Sequence, residues 1–212
     1  MSVALIAGAS GLVGGRLLNL LLDTEDYTKI VSIGRRKLKI IHPRLEQYIS
    51  DFEKLDELDI KPDVVFCCLG TTIKKAGSKE AFKKVDFEYP KLLANYSLIK
   101  GANAFHIITA MGANSNSSIF YNKVKGEIED ELKSLAFRQM HIYQPSLLLG
   151  ERQEKRLAEG ISQSITKGLG FLFVGPLKNY KAIAGEKVAK SMYDKSIEHT
   201  EGVFVHLSGE MQ

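Results

Sequence analysis

The sequence is poor in cysteine. Only two of its 212 residues are cysteines, Cys67 and Cys68, and they are adjacent inside an apolar run. Neighbouring residues of a strand point to opposite faces of a sheet, so this pair is not expected to form a disulfide. It also lacks the spacing of a metal site. A disulfide-stabilised secreted domain is therefore not indicated, and we interpret both residues as buried thiols in a reducing compartment.

Long apolar runs are also missing. No stretch reaches the roughly 18 residues that a membrane-spanning helix requires, so no membrane association is expected. An apolar strand pattern begins by Val3 and leaves no room for a signal or transit peptide. From these two features the sequence predicts a cytoplasmic protein.

Charge of one sign is not concentrated in any segment, and the histidines do not cluster. The formal net charge is +4, but the lysines are spread along the chain, so no nucleic-acid surface is indicated. The five histidines have no metal-ligand spacing, and no metal is expected. His106 and His141 lie in strand patterns and are predicted to be satisfied residues of a sheet.

The chain does contain a regular alternation of short apolar runs and helical patterns. Hydrophobic residues make up 44% and charged residues 25%, the balance of a soluble globular protein. The run Asp63–Leu69 is continuously apolar after its first residue, as in a strand covered on both faces. The alternation predicts an α/β fold, a doubly wound parallel sheet with helices on both faces. Predicted strands cover residues 3–7, 29–33, 46–50, 63–69, 105–109, 140–144 and 203–207, and predicted helices cover 12–22, 78–85, 89–100, a segment ending near 137, 154–167 and 185–198.

A glycine-rich loop joins the first strand to a leucine-rich helix, with the sequence Gly8-Ala-Ser-Gly-Leu-Val-Gly14. The first glycine suits a tight turn, the second lets the backbone approach a pyrophosphate, and the third lets the helix pack closely on the sheet. The helix N-terminus presents free N–H groups to phosphates. We therefore predict a dinucleotide-binding loop, the alternative being a tight turn without a ligand. Its predicted contacts are Gly8, Ser10, Gly11, Leu12, Val13 and Gly14.

The end of the second strand lacks an acid. In folds that bind NAD such an acid holds the ribose 2′-hydroxyl, but here Arg35 and Arg36 follow the strand. Guanidinium groups bind a 2′-phosphate as bidentate, charge-assisted donors. The pair predicts NADP(H) rather than NAD(H), while the alternative is two ordinary surface arginines. After the third strand, Asp51 and Phe52 are predicted to meet the adenine ring, although Asp51 suits a helix cap equally well.

Tyr121 and Lys125 are four residues apart at the start of the predicted long helix, so they share one face of it. An ammonium held beside a phenol favours the phenolate. The tyrosine can then exchange a proton with a carbonyl or alcohol while a hydride moves to or from a nicotinamide. The lysine also suits the ribose hydroxyls of that cofactor. The alternative is a surface tyrosine beside a solvated lysine.

The glycine loop and the Tyr/Lys pair together resemble the short-chain dehydrogenase/reductase superfamily, of its extended or atypical kind. Further stretches resemble the Tat-interacting-protein (oxidoreductase HTATIP-like) family over nearly the whole chain, to about residue 200. The stretches that carry this resemblance are Cys68-Leu-Gly-Thr-Thr72, Lys75-Ala-Gly77, Val85-Asp86, Met111-Gly-Ala113, Val124-Lys-Gly-Glu127, Gln144-Pro-Ser-Leu-Leu-Leu149 and Glu151-Arg-Gln-Glu154.

The resemblance implies one Rossmann-like, NAD(P)-binding domain over residues 1–212, with residues from about 145 onward contributing the substrate cleft. It implies that Tyr121 is the general acid/base, that Lys125 orients the ribose, and that Thr109 donates to the substrate oxygen. Gln144, Pro145 and Ser146 lie where backbone groups meet the nicotinamide carboxamide, or form a plain strand-ending turn. The further cofactor contacts it implies are Leu69, Gly70, Thr71, Lys125 and Pro145.

Two positions depart from the superfamily pattern. Ala110 stands where a serine is often found, so the substrate-oxygen donor falls to Thr109 or to a serine of the following loop, of which Ser117 or Ser118 is more simply the N-cap of the long helix. Asp86 stands where many extended members have an asparagine, and it can form a charge pair with a lysine instead.

The sequence therefore favours an NADP(H)-dependent oxidoreductase that reduces a small carbonyl compound or oxidises the alcohol. Its alternatives are an NADP(H)-sensing regulatory protein with little or no turnover and, disfavoured by the short C-terminal portion, a nucleotide-sugar epimerase. The expected partners are an unidentified small-molecule substrate and, from the resemblance, a regulatory protein. A monomer or a homodimer is expected. The apolar, glycine-rich segment 168–176 is predicted to line a pocket or to act as a lid.

Overall fold

The computed structural model describes residues 2–150, 179 and 181–212. The expected helix over 154–167, the pocket-lining segment 168–176 and the motif at 151–154 lie outside the described residues. Nine strands are described, seven of which form one sheet. The strands are β1 (Val3–Ala7), β2 (Lys29–Gly34), β3 (Leu45–Ile49), β4 (Val64–Cys67), β5 (Ala104–Ile108), β6 (Gln139–Gln144), β7 (Leu148–Leu149), β8 (Ile183–Ala184) and β9 (Gly202–Leu207).

The seven-stranded sheet has the order β3-β2-β1-β4-β5-β6-β9, and every pairing in it is parallel. A separate two-stranded sheet pairs β7 with β8. The strand order reverses direction between β1 and β4, because β1 is followed by β2 on one side and β4 lies on the other. In doubly wound folds ligands bind outside the carboxyl ends of the strands at such a switch point.

Helices cover both faces of the large sheet. They are α1 (Leu12–Asp23), α2 (Ile73–Ala76), α3 (Lys79–Lys83), α4 (Tyr89–Ile99), α5 (Phe120–Lys133) and α6 (Gly185–Ser196), with a 3-10 helix at Phe52–Glu57 and a π-helical turn at Lys84–Glu88. On one face α1 and α6 pack over a buried cluster that includes Leu17 and Met192. On the other face α4 and α5 pack over a cluster that includes Leu93 and Ile128. The predicted Rossmann-like α/β fold is confirmed.

The inner strands are buried because both of their faces are covered. All four residues of β4 are buried, and all five of β5. A strand that is apolar at every position, rather than at every second one, is the pattern that two helical layers require. The continuous apolar runs of the sequence thus predicted these strands to within a residue or two.

Several local features differ from the sequence-based expectations. Ser78, the first residue of the helix predicted over 78–85, is the N-cap of α3, since its hydroxyl accepts the N–H of Ala81 at 3.0 Å. The predicted cap of α5 is wrong: the helix begins at Phe120, its N-cap position is Ile119, and Ser117 instead accepts the Ile119 N–H in the turn before it. The helix α2, the π-helical turn and the small β7–β8 sheet were not predicted. Within the described ranges, no helix combines the length and apolar character needed to cross a membrane.

Candidate active site

The glycine loop lies at the carboxyl end of β1, at the switch point of the sheet. Gly8 has φ +89°, a left-handed conformation that side chains disfavour, and a Cβ there would lie 2.4 Å from the Cys68 carbonyl oxygen. A Cβ on Gly14 would lie 2.3 Å from the Gly8 carbonyl oxygen. Gly8 therefore permits the tight turn, and Gly14 permits the close approach of α1 to that turn.

The N-terminus of α1 is open towards this loop. Its N-cap is Gly11, which offers no side-chain cap, and its first turn carries no acid. The first N–H groups of a helix have no partner within the helix, so they remain donors for an anionic group that binds at this end of it. This is the arrangement that the sequence predicted for a pyrophosphate.

The two arginines reach the same cleft from the end of β2. Arg35 and Arg36 are both exposed, and together with Gly8, Ser10 and Gly34 they line a pocket beside the glycine loop. Neither guanidinium forms an ion pair with an acid of the described chain. The structure thus places both arginines beside the glycine loop, where the sequence analysis expected them.

The predicted adenine region contains an aromatic pair. Phe52 is buried and stacks on Tyr89 with a centroid separation of 5.1 Å, and both residues line the cleft with Gly11. Asp51 caps the 3-10 helix by accepting the Glu53 N–H, which matches its alternative role. Tyr89 was missed by the sequence analysis, since its position at the start of α4 gave no signal. Leu69 and Gly70 line this cleft as well.

Tyr121 is held at the start of α5 by an aromatic contact. It is half-buried, and its ring lies 5.4 Å from that of Phe82 on α3, measured between centroids. The polar loop before the helix docks on α5 beside this residue, where Asn114 donates its N–H to the Asn122 carbonyl at 3.0 Å. The ring contact with Phe82 and the hydrogen bond between the loop and the helix therefore both hold the segment that carries Tyr121.

That docking depends on a glycine in the middle of α5. A Cβ on Gly126 would lie 2.1 Å from the Ser115 nitrogen and 2.2 Å from the Asn114 carbonyl carbon. Both are backbone atoms, so the change Gly126→Ala must displace the loop, and we expect it to lower the free energy of unfolding by about 1–3 kcal/mol in urea titrations. Gly15→Ala is the matched control, because a Cβ at Gly15 meets nothing closer than 3.4 Å. An alanine at residue 126 that leaves stability unchanged would contradict the close packing of the loop on the helix.

Lys125 is buried and paired with an acid. Its Nζ lies 2.7 Å from Oδ1 of Asp86, and the two side chains are 5% and 0% exposed. The predicted charge pair between Asp86 and a lysine is confirmed, and the lysine is the one four residues after Tyr121. Burial raises the pKa of Cys67 at the end of β4 to about 12, and the Lys125 ammonium counters part of this rise. Asp86 also accepts the Thr71 N–H in the loop that follows β4, so the Lys125 ammonium lies near the carboxyl end of that strand, at the switch point.

Thr109 is buried just past β5, and a carboxylate binds its hydroxyl. Its Oγ1 donates to Oε1 of Glu129 at 2.6 Å and lies 3.3 Å from the Tyr143 carbonyl oxygen. Gln144 donates from Nε2 to both oxygens of Glu129 at 3.0 Å. The single proton of Thr109 is thus directed to Glu129, a residue on α5 that the sequence analysis missed. This network ties α5 to the ends of β5 and β6.

The segment after β6 is fixed by backbone contacts. The Pro145 carbonyl accepts the Met111 N–H at 2.9 Å, and Ser146 donates to the Lys181 carbonyl at 2.5 Å. Pro145 therefore lies next to the loop that follows β5, at the same edge of the sheet as the glycine loop. Thr71, predicted to contact the cofactor, donates its N–H to Oδ2 of Asp86 at 2.9 Å.

Three histidines stack across β5, β6 and β9. The ring centroids of His106 and His141 are 4.5 Å apart, and those of His141 and His206 are 5.2 Å apart. Burial holds the pKa of His106 well below its usual range and lowers that of His141 to about 4. The Nδ1 atoms pair with Tyr143 and His206, but Nε2 of His106 and of His141 has no hydrogen-bond partner in the described chain. The prediction of fully satisfied histidines is wrong for these two atoms.

No group of three or more His, Cys, Asp or Glu side chains among residues 2–150, 179 and 181–212 has metal-binding geometry. The two cysteines are free thiols.

Comparison with known proteins supports the resemblance. The model of the NAD dependent epimerase/dehydratase family matches residues 4–207. Protein HTATIP2 of Rattus norvegicus is 38% identical over 164 residues, which cover 74% of this chain and 67% of that protein. Protein fmp52, mitochondrial, of Aspergillus clavatus is 30% identical over 210 residues, covering 95% and 89%. The Bordetella bronchiseptica enzyme WbmH in complex with NAD+ has a TM-score of 0.71 at 16% identity, covering 99% and 76%, and this likeness shows the fold.

The relatives correct one expectation. The matching FMP52 proteins of Aspergillus clavatus, Candida albicans and Eremothecium gossypii are named mitochondrial. The names of these relatives contradict the prediction of a cytoplasmic protein, which is wrong. That prediction was based on an early strand pattern near Val3, and such a pattern does not determine the location of proteins of this group.

A family model that matches nearly the whole chain, and relatives at least 30% identical over most of their own length, agree with the fold and with the motifs. The chain therefore belongs to the NAD dependent epimerase/dehydratase family and, within it, to the group of the HTATIP2 and FMP52 proteins.

Proposed function

We propose that this protein binds NADP(H) and uses Tyr121 and Lys125 to interconvert a small carbonyl compound and its alcohol. The observation that carries the proposal is the position of the buried Lys125 ammonium, which pairs with Asp86 beside the loop after β4. It lies on the same helix as Tyr121 and at the same sheet edge as the glycine loop. A switch point is where this fold binds its ligands.

The residues present fit a nicotinamide dinucleotide. Gly8 and Gly14 leave space that a Cβ would fill, and the uncapped N-terminus of α1 faces that space. We assign the pyrophosphate to the loop that contains Ser10, Gly11, Leu12 and Val13, and the adenine to the wall formed by Phe52 and Tyr89. Leu69, Gly70 and Thr71 would border the ribose. Lys125 would bind the nicotinamide ribose hydroxyls, and Pro145 would border the carboxamide.

The bound cofactor would supply or accept a hydride. The protein's part is to handle the proton and fix the geometry. In the reducing direction the Tyr121 hydroxyl donates its proton to the substrate oxygen, and in the oxidising direction the phenolate removes a proton from the alcohol. Lys125 stabilises the developing phenolate. We assign the substrate-facing wall to residues from about 145 onward within the single domain.

Arg35 and Arg36 are proposed to select NADP(H) over NAD(H). Because each guanidinium can form charge-assisted hydrogen bonds with a 2′-phosphate, fluorescence titration should show NADPH binding at least about tenfold tighter than NADH. Replacing Arg35 and Arg36 by alanine should remove that preference by weakening NADPH alone. Arg138→Ala is the control, since this arginine pairs with Glu201 at the amino end of β6.

Equal affinities of the parent protein for the two cofactors would contradict the assignment of the 2′-phosphate site. A preference that survives the double substitution would locate the 2′-phosphate elsewhere. The assignment also requires that the double variant still binds NADH as the parent does, because the substitutions leave the rest of the cofactor site unchanged.

An NADP(H)-sensing regulatory protein is the second candidate, and one observation favours it. The Thr109 hydroxyl donates to Glu129, and Ala110 offers no hydroxyl in place of the usual serine. A screen of carbonyl compounds that follows NADPH absorbance separates the two proposals. Turnover that depends on Tyr121 supports the oxidoreductase, whereas tight NADPH binding without turnover supports the regulatory protein. Interconversion of a nucleotide-sugar without net cofactor oxidation would instead identify an epimerase.

A further inference from the structure

Asp86 lies in a π-helical turn, Lys84–Glu88, between α3 and α4. Such turns insert an extra residue into a helix and recur at functional sites. Asp86 is 1% exposed, so its carboxylate is removed from solvent. A buried carboxylate is costly unless its oxygens are compensated, and the surroundings of each oxygen therefore matter.

The two oxygens of Asp86 connect different segments. Oδ2 accepts the Thr71 N–H at 2.9 Å, and Oδ1 lies 2.7 Å from Nζ of Lys125. A Cβ on Gly70 would lie 3.6 Å from Oδ1, so the carboxylate sits directly behind the backbone of that loop. One side chain thus links the loop after β4, the π-helical turn and the helix that carries Tyr121.

The contact with Lys125 is a charge pair without hydrogen-bond geometry. Oδ1 of Asp86 has no hydrogen-bond partner despite the short separation. The carboxylate nevertheless offsets the charge of the ammonium, because a pair at this distance in a buried site interacts strongly.

We propose that Asp86 is a positioning residue that neutralises Lys125 and joins it to the loop at residues 69–71. This inference rests on the proposed function, because it assigns Tyr121 and Lys125 to one reactive centre. A neutral Asp86–Lys125 pair gives the Tyr121 phenolate less support than a lone ammonium would. In the proposed centre the charge of Asp86 therefore opposes the effect of the Lys125 ammonium on the Tyr121 hydroxyl.

The test is a pair of charge-changing variants read by tyrosine absorbance. Asp86→Asn keeps the size of the side chain and an acceptor for Thr71, but it removes the negative charge. An uncompensated ammonium favours the phenolate, so the ionisation of Tyr121 should move to lower pH by about one unit. The absorbance difference at about 295 nm between each protein and its Tyr121→Phe counterpart isolates Tyr121 from the other seven of the chain's eight tyrosines. Asp130→Asn is the control. Asp130 lies on α5, the helix that carries Tyr121, but it pairs with the exposed Lys133, so its substitution should not shift the ionisation of Tyr121.

The pH dependence of carbonyl reduction gives a second readout. In Asp86→Asn the limb of the rate profile that reports Tyr121 should move to lower pH by the same amount, with NADPH affinity within a few-fold of the parent. Asp86→Ala, which also frees the Thr71 N–H, should in addition lower kcat at least tenfold. A difference titration of Asp86→Asn that superimposes on the parent would overturn the inference.

The two proposals fail separately. A shifted titration without turnover of any carbonyl compound would retain the role of Asp86 and reject the oxidoreductase. Turnover that depends on Tyr121, together with an unshifted titration, would retain the oxidoreductase and reject the role of Asp86.

Discussion

Replacing Tyr121 by phenylalanine should lower kcat for carbonyl reduction roughly 10²- to 10⁴-fold, the contribution of a positioned general acid. The substitution removes one oxygen and keeps the ring. The contact with Phe82, 5.4 Å between centroids, is therefore retained, and the start of α5 should keep its position. The loss should fall on kcat, because the hydroxyl acts on the substrate oxygen as the proton moves and contributes little to binding of the ground state.

NADPH affinity separates a chemical effect from a structural one. The proposed cofactor contacts belong to the glycine loop, the arginines and Lys125, so the Tyr121→Phe variant should bind NADPH within a few-fold of the parent. Tyr193→Phe is the matched control. Tyr193 donates to Asp26 just beyond the C-terminal end of α1, at the opposite edge of the sheet from the site, and its loss should leave kcat unchanged. Activity that survives in Tyr121→Phe would remove this residue from the mechanism.

The parts of the site that follow from one short segment could be predicted from the sequence. The turn at Gly8, the close approach at Gly14 and the position of Tyr121 and Lys125 one turn apart on α5 all arise within a few residues. The continuous apolar strand at residues 64–67 is of the same kind, since two covering layers leave no polar face. These features depend on a few consecutive residues, so the sequence of each segment is enough to predict them.

Contacts between distant segments could be predicted only in part. A charge pair between Asp86 and a lysine was expected, but its partner, Lys125, lies far along the chain, and the π-helical turn that carries Asp86 was not foreseen. Glu129 meets Thr109 only because α5 packs behind β5. Nothing in a 3.6-residue periodicity distinguishes an inward from an outward acid when the helix changes its pitch.

The histidine stack also depends on long-range register. His106, His141 and Phe204 face one another because β5, β6 and β9 pair in parallel with those residues aligned, and His206 lies two residues further along β9. Each strand alone shows a single histidine in an apolar run, which predicts burial but no cluster. The physical consequence of the cluster is a dependence of stability on pH.

The free energy of unfolding should fall steeply as the pH is lowered from about 6.5 towards 4. Burial lowers the pKa of His141 from 6.5 to about 4, and burial also lowers the pKa of His106 and of His206. In this window the unfolded chain binds protons that the folded chain does not, so stability is complete above the unfolded value and is lost as the pH falls. The expected slope is about 1.4 kcal/mol per pH unit for each histidine that remains neutral.

Urea titrations between about pH 7 and pH 5 measure this slope with little contribution from carboxylates, which remain largely ionised in that range. His141→Asn keeps a polar group near the position of Nδ1 and does not titrate, so the slope should decrease by about 1.4 kcal/mol per pH unit. His199→Asn is the control, because His199 is exposed in the turn between α6 and β9. The charged side chains that act on the stack are Glu198, Lys195 and Glu210. Glu198 and Lys195 pair with each other and act in opposite directions on the pKa of His141, and Glu210 raises the pKa of His206. Burial therefore dominates, and a slope unchanged by His141→Asn would mean that His141 is already charged in the folded protein at the acid end of the titration.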